Sequence, residues 1–280
     1  LHNLAEPLPD LSAFAEILPR IEASVREAGE IAMEYFRAGA PTRAEVSFKH
    51  GGSPVTEADL RIDHFLRERL QKLAPDLGWL SEETADTPER LTAEALFVVD
   101  PIDGTRGFAA GDPCFAICVA LVIGDRPAYG VIHAPALAQT FIAAAGSGAR
   151  CNGAAIAVSG RERLAGARLA APHYFDKKLA SSGLDYDPQP RLPSLAMRIL
   201  RVADGEFDAA LARENACDWD IAAADLILGE AGGVLTDLQG NAPRYNRASY
   251  KHPALAAGSP ALQSRLIAAA RGEKAVISET

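Results

Sequence analysis

The apolar run Ala95-Leu96-Phe97-Val98-Val99 passes directly into Asp100-Pro101-Ile102-Asp103-Gly104-Thr105. Five consecutive apolar residues ahead of a Pro/Gly turn predict a buried strand. The chain must therefore bury that strand and still deliver two carboxylates and a threonine at its end. Two aspartates three residues apart suit hard cations, because Mg²⁺ prefers carboxylate and backbone oxygens and keeps positions open for water and phosphate. If Gly104 opens a helix, the amides after Asp103 face an anion with N–H groups that have no partner inside the helix. The same six residues also describe a plain strand-end turn with a capping aspartate. The rest of the chain has to decide between the two.

At 280 residues and 48% hydrophobic content, the chain can build one large or two modest cores. No apolar run approaches the roughly 18 residues of a membrane span, and the start lacks the basic-then-apolar order of a signal peptide, so a cytoplasmic setting is expected. A net charge of −9 argues against a nucleic-acid polymer as partner, since such surfaces cluster Lys and Arg. An anionic small molecule would need metal ions or a local Arg/Lys group. Cys114, Cys118, Cys151 and Cys217 lack the paired spacing of a zinc site. As residues of one strand, Cys114 and Cys118 would lie about 13 Å apart, beyond the roughly 7 Å that a disulfide spans, so reduced thiols are expected. The histidines form no HxxxH or HxH pair.

Taken in order, Leu11, Phe14, Leu18, Ile21, Val25, Ala28, Ala32 and Tyr35 mark an amphipathic helix that Pro19 splits or bends. Val46 and Phe48 predict a short strand before the turn His50 to Pro54. Thr56 is the expected N-cap of a second helix with Asp59 in its first turn. A strand over Leu77 to Leu80 leads to Ser81-Glu82-Glu83-Thr84, placing carboxylates at a strand end again. After the Asp100 strand comes the alternating run Cys114 to Ile123, in which Phe115, Ile117, Val119 and Leu121 share a face. Strands at Tyr129 to His133, Thr140 to Ala144 and Ala155 to Val158 complete a meander. From about Gly160 strands and helices alternate, which divides the chain into an N-terminal α+β lobe, 1–160, and a C-terminal α/β lobe, 161–280. In the second, Arg168 to Ala171 predicts a strand and 185–193 a Pro-rich loop. Ser194 caps a helix running to Gly205, a strand covers Phe207 to Leu211, and Asp220 begins a helix ending at Gly232-Gly233. Strand Val234 to Thr236 and helix Pro260 to Ala270 follow.

Several separate motifs carry a family resemblance. Asp100-Pro101-Ile102-Asp103-Gly104-Thr105, Ser81-Glu82-Glu83-Thr84, and Trp219-Asp220-Ile221-Ala222-Ala223 ending in Ala231-Gly232-Gly233 resemble the signature set of the inositol monophosphatase superfamily in order and spacing. The segments Ser53 to Asp59 and Gly146 to Gly153 are also similar to family segments. The resemblance implies an α/β (α+β) fold, the layered αβαβα sandwich, with the active site between the lobes. Matched residue by residue, it implies that Glu82, Asp100, Asp103, Asp220 and the carbonyl of Ile102 hold two or three Mg²⁺ ions. Asp59 and Thr105 would orient and help deprotonate the attacking water, and the amides of Gly104 and Thr105 would bind phosphate oxygens. Lys49 falls where the family has a mobile lysine. Lithium sensitivity is a further implication.

Arg106-Gly107-Phe108, Pro243-Arg244-Tyr245 and Lys251-His252-Pro253 are more similar to the bacterial 3′(2′),5′-bisphosphate nucleotidases than to the inositol enzymes. That similarity implies a phosphomonoesterase converting 3′-phosphoadenosine 5′-phosphate to AMP and phosphate. Arg106, Ser194, Arg198, Arg213 and Lys251 are candidates for contacting the substrate, alongside Lys49. Where inositol phosphatases place an acidic residue contacting sugar hydroxyls, this chain has Arg213-Glu214-Asn215. Inositol 1-phosphate, histidinol phosphate and fructose 1,6-bisphosphate stand as competing substrates, and a non-catalytic metal- and phosphate-binding module as the alternative of another class. A monomer or homodimer acting on a small phosphorylated metabolite is expected.

Overall fold

The computed structural model describes residues 9–49 and 52–274. Two helices, α1 (Leu18–Tyr35) and α2 (Glu57–Leu73), flank a small hairpin of β1 (Val46–Phe48) and β2 (Pro54–Thr56). Helix α1 starts at Leu18 because Pro19 sits in its first turn, where a missing N–H costs nothing. The apolar residues ahead of it form only a short 3₁₀ turn, Ser12–Phe14. Of the predicted His50 to Pro54 turn, His50 and Gly51 lie outside the described residues.

A seven-stranded sheet follows, built from β3 (Gly78–Ser81), β4 (Ala95–Asp103), β5 (Ala116–Ile123), β6 (Arg126–Ala134), β7 (Gln139–Ala144), β8 (Ala149–Cys151) and β9 (Ala154–Ala155), in that order across the sheet. Only the β3–β4 pair is parallel. Helix α3 (Thr105–Ala110) leaves the end of β4.

The second sheet contains β10 (Ala167–Ala170), β11 (Tyr186–Pro188), β12 (Ala209–Ala212), β13 (Val234–Asp237) and β14 (Leu255–Gly258), in the order β11-β10-β12-β14-β13. Its helices are α4 (Asp176–Ser182), α5 (Leu195–Ala203), α6 (Asp218–Glu230) and α7 (Pro260–Arg271). Strand β11 lies in the segment expected to be loop, and pairs parallel with β10 despite Pro188, because it is the edge of the sheet and can spare the N–H. Strand β9 is two residues long where four were expected.

Three apolar clusters stack these elements into layers. The first holds α1 and α2 against one face of the large sheet, through Ile21, Leu66, Phe97, Phe115, Ile117, Val119 and Leu121. The second joins that sheet's other face, through Cys118, Ala120 and Ile132, to α5, α6 and the smaller sheet. The third sets α4 and α7 on the far side, through Leu169, Phe175, Leu179 and Leu266. The order helix, sheet, helix, sheet, helix is the expected αβαβα sandwich. Strand β5 is buried on both faces by this stacking, which accounts for its nearly uninterrupted apolar sequence. The change of sheet falls between Ala155 and Ala167, and α5 and α6 share one core with both sheets.

Candidate active site

The last residues of β4 leave the regular ladder. Between Asp100, opposite Cys118, and Asp103, opposite Ala116, the register shifts by one residue, as expected where Pro101 cannot donate to its neighbour. This bulge turns Asp100 and Asp103 towards the start of α6. The carboxylates of Asp100, Asp103 and Asp220 each bring an oxygen within 4.8 Å of the others. They line a cleft of about 200 Å³ together with Glu82, Ile102, Gly104, Thr105 and Arg106.

Such an arrangement is costly without a cation. Burial, then Glu82, Asp103 and Asp220, push the Asp100 pKa well above the ordinary carboxylate range, and burial and Asp103 do the same to Asp220. Burial brings Asp103 up to about 6, against hydrogen bonds from Ser194, Ala196 and Leu195. Oδ2 of Asp100 is buried with no hydrogen-bond partner, although Oδ1 accepts the Ile102 N–H at 3.0 Å. An orphaned carboxylate oxygen beside two further carboxylates is an all-oxygen donor set suited to a hard divalent cation. The residues present fit Mg²⁺.

Asp59 approaches from α2. Thr56 and Asp59 form a capping box, in which the Thr56 N–H donates to Asp59 Oδ2 at 2.8 Å and the Thr56 hydroxyl at 2.5 Å. The other oxygen, Oδ1, lies 3.3 Å from the Thr105 hydroxyl, so two residues expected to act as a pair are in contact. That hydroxyl is also 3.0 Å from the Ile102 carbonyl, and its single proton serves one acceptor at a time. Burial lifts Asp59 to about 6. Gly104 occupies the left-handed region at φ 94°, as the N-cap of α3, which starts at Thr105. The amides of Gly104 and Thr105 are therefore at a helix start, as anticipated.

Glu82 lines the cleft, but its carboxylate is engaged by Lys49, whose ammonium lies 2.8 Å from Glu82 and 2.6 Å from Glu83. Burial opposes the charge on Lys49, yet the two glutamates outweigh it and its pKa is raised. Glu83 is pushed up by burial to about 7. Asp63, one turn after Asp59 on α2, accepts from the hydroxyls of Ser81 and Thr84, the latter at 2.7 Å, and so braces the turn carrying Glu82. Sequence reasoning passed over Asp63 and gave Glu83 no role beyond its place in the Ser81 to Thr84 motif; the four-residue spacing of Asp59 and Asp63 on one helix face was the available signal for the former.

Two expected substrate contacts are placed otherwise. Ser194 is fully buried, donates its hydroxyl to Asp103 and caps α5 by accepting the Met197 N–H at 3.0 Å, so it lies beneath the cleft instead of on its wall. Lys251 lines a separate groove with Arg244, Arg247 and His252, although its backbone is bridged to Cys217, the N-cap of the helix that carries Asp220. Arg106 stays at the cleft, its guanidinium 3.4 Å from the Gly52 carbonyl. Arg198 and Arg213 line a second cavity of about 800 Å³, which also takes in His173, Tyr174, Arg191, Glu214 and Asp220. Arg198 reaches it from α5, held by the carbonyls of Leu192 and Leu211 at 3.0 and 3.3 Å.

Several known proteins are similar to this chain in sequence and fold. A 3′(2′),5′-bisphosphate nucleotidase CysQ of Aggregatibacter actinomycetemcomitans is 33% identical over 241 residues, 82% of this chain and 89% of that protein. An inositol-1-monophosphatase of Mesorhizobium japonicum is 28% identical over 260 residues, 90% of this chain and 94% of that one. Among solved structures, the extragenic suppressor protein suhB of Bartonella henselae superposes with a TM-score of 0.78 at 29% identity, covering 93% of this chain and 99% of its own. An IMPase/NADP phosphatase described as complexed with Mg²⁺ and phosphate shares the fold at 20% identity and a TM-score of 0.80, over 92% of this chain and 96% of that one. The model of the inositol monophosphatase family matches residues 14–275, and the chain belongs to that family of metal-dependent phosphomonoesterases.

Proposed function

We propose that the protein is a Mg²⁺-dependent 3′(2′),5′-bisphosphate nucleotidase that removes the 3′-phosphate of 3′-phosphoadenosine 5′-phosphate. The observation that carries this reading is the arginine-lined cavity beside Asp220: it has room for a nucleoside, and Arg198 and Arg213 supply cations for a second phosphate. The 33% identity to a nucleotidase supports it. Asp100, Asp103 and Asp220, with Glu82 and the Ile102 carbonyl, would hold two or three Mg²⁺ ions. When bound, Mg²⁺ supplies the positive charge that neutralises phosphate oxygens and acidifies water enough for direct attack. Asp59 holds the Thr105 hydroxyl through Oδ1, which leaves the hydroxyl's lone pairs to position the incoming water. A carboxylate with a pKa of about 6 is ionised at neutral pH yet basic enough to take up that water's proton. The amides of Gly104 and Thr105 orient the phosphate from the start of α3, and Lys49 closes towards the cleft. Inhibition by Li⁺, a cytoplasmic setting and a monomeric or homodimeric state belong to the same proposal.

Inositol 1-phosphate is the second reading, favoured by Glu214, which lines the same cavity and offers an acceptor for sugar hydroxyls. Phosphate release with Mg²⁺ from 3′-phosphoadenosine 5′-phosphate, inositol 1-phosphate, histidinol phosphate and fructose 1,6-bisphosphate separates these readings. Preference for the nucleotide is expected, with KM for it alone raised in Arg198→Met. A preference for inositol phosphate refutes the nucleotidase assignment, and no turnover of any of them favours a binding module.

A further inference from the structure

The end of β4 and the start of α5 are 91 residues apart in sequence, yet they meet at one carboxylate. Asp103 Oδ2 accepts from the Ser194 hydroxyl and from the Ala196 N–H at 2.7 Å, and Oδ1 accepts only the Leu195 N–H at 3.3 Å. The contact is built into the backbone. A Cβ on Gly104 would meet the Ser194 nitrogen at 3.1 Å and its Cα at 3.2 Å, so glycine at this position lets α5 dock directly on the turn that carries Asp103. Ser194 is wholly buried, and its single hydroxyl proton is committed to Asp103 while it accepts the Met197 N–H, so it has no proton to offer a substrate.

From this geometry we infer that Ser194 is a positioning residue for metal binding: it fixes the rotamer of Asp103 through Oδ2 and leaves Oδ1 to the cation. The inference rests on the reading of Asp103 as a metal ligand. Groups that orient a ligating carboxylate typically change metal affinity by 10–100-fold when removed. The same clamp ties the metal site to the substrate cavity, because Arg198 lies one helical turn beyond Ser194, its N–H donating to the Ser194 carbonyl at 3.3 Å.

The test is calorimetric titration of the full chain with Mg²⁺ alone, together with the melting temperature of each metal-free protein. Ser194→Gly removes the hydroxyl but costs a helix cap little, whereas Ser194→Ala removes both the hydroxyl and the cap. A positioning role predicts that Mg²⁺ affinity falls about tenfold in both variants, equally, although only Ser194→Ala melts appreciably lower. If affinity stays at the wild-type value in either variant, or follows the melting temperature, Ser194 is only a helix cap and the inference fails. Asp103→Asn is the reference: unchanged Mg²⁺ affinity there refutes the ligand assignment itself, whereas lost affinity in Asp103→Asn with wild-type affinity in Ser194→Gly refutes the clamp alone.

Discussion

Stripped of Mg²⁺, the protein should be less stable at neutral than at mildly acidic pH. Asp103 sets the scale, since its pKa is moved by burial from 3.8 to about 6 despite the hydrogen bonds from Ser194 and the start of α5. Between those values the native protein retains a proton that the unfolded chain has released. Its contribution is therefore most favourable below 3.8 and is lost as pH rises through about 6. The full shift corresponds to about 3 kcal/mol, of which roughly half is crossed between about pH 5 and about pH 7.5. At about 2 °C per kcal/mol for a chain of this length, Asp103 alone lowers the melting temperature by about 3 °C over that interval. Asp100 and Asp220, raised further, act in the same sense, as does Glu83 at about 7. His133 opposes them, because burial lowers its pKa and acidification must charge it. Asp208, whose burial is outweighed by hydrogen bonds from Arg168, is held down to about 2 and loses its contribution only below this range. Scanning calorimetry in chelator at the two pH values should give the lower melting temperature at the higher pH. Saturating Mg²⁺ should raise it more there than in acid. A metal-free melting temperature that climbs with pH, or a Mg²⁺ increment equal at both, would refute the reasoning.

Asp100→Asn should abolish phosphate release without lowering the metal-free melting temperature, because it replaces a buried carboxyl whose ionisation is disfavoured by burial and by neighbours of the same sign; substantial residual turnover would contradict the metal role. Thr56→Val should cost about 1 kcal/mol through the lost cap, read as a melting shift of about 2 °C. It also deprives Asp59 of a donor that holds its pKa down, so the acid limb of the rate profile should move to higher pH, and an unmoved limb would detach Asp59 from proton transfer. Lys49→Met should tighten Mg²⁺ binding, since the ammonium competes with the cation for Glu82; weaker binding would show that Lys49 assists the metal instead.

The acidic cluster of Asp100, Asp103 and Asp220 was legible because its chemistry is local. An aspartate pair around a proline at a strand end, and an aspartate at a helix start, carry their meaning in a few neighbouring residues. Ser194 had a local signal too, but an incomplete one: a serine ahead of an apolar helix reads as a cap, which it is, while its bond to Asp103 spans 91 residues and leaves no trace in either segment. The same holds for Glu83, whose partner Lys49 is 34 residues away. Strand β11 was missed because Pro188 at its end and Pro190 just beyond it suggest loop, and only its place at the sheet edge tolerates a proline. The capping box at Thr56 shows the converse. The residue read as a structural acid in the first turn of α2 is at once a cap partner and the residue facing Thr105, so the structural and functional readings of Asp59 were never exclusive.

That overlap explains why the acidic cluster is written plainly in the sequence and the lining of the cavity beside it is not. Asp220 rides on α6, and α6 is fixed at both ends. Near its start Asp218 is 2.7 Å from His252, and at its end Glu230 accepts the N–H groups of Gly146 and Gly148, each at 2.7 Å. The first tie reaches the segment leading into the small sheet and the second the turn between two strands of the large one, so Asp220 cannot shift against Asp100 without breaking a buried or doubly bonded contact. Asp103 is locked likewise by α5. Residues under such constraint admit few substitutes and form recognisable motifs. Arg198 is held by the carbonyls of Leu192 and Leu211 and attracted by Asp103, whereas Arg213 is exposed at the cavity rim. Under the proposed reading, exchanging Arg213 would alter what the cavity accepts with less effect on the acidic cluster than exchanging Arg198, so rim side chains that the fold itself does not require are where one metal centre would tell different phosphate esters apart.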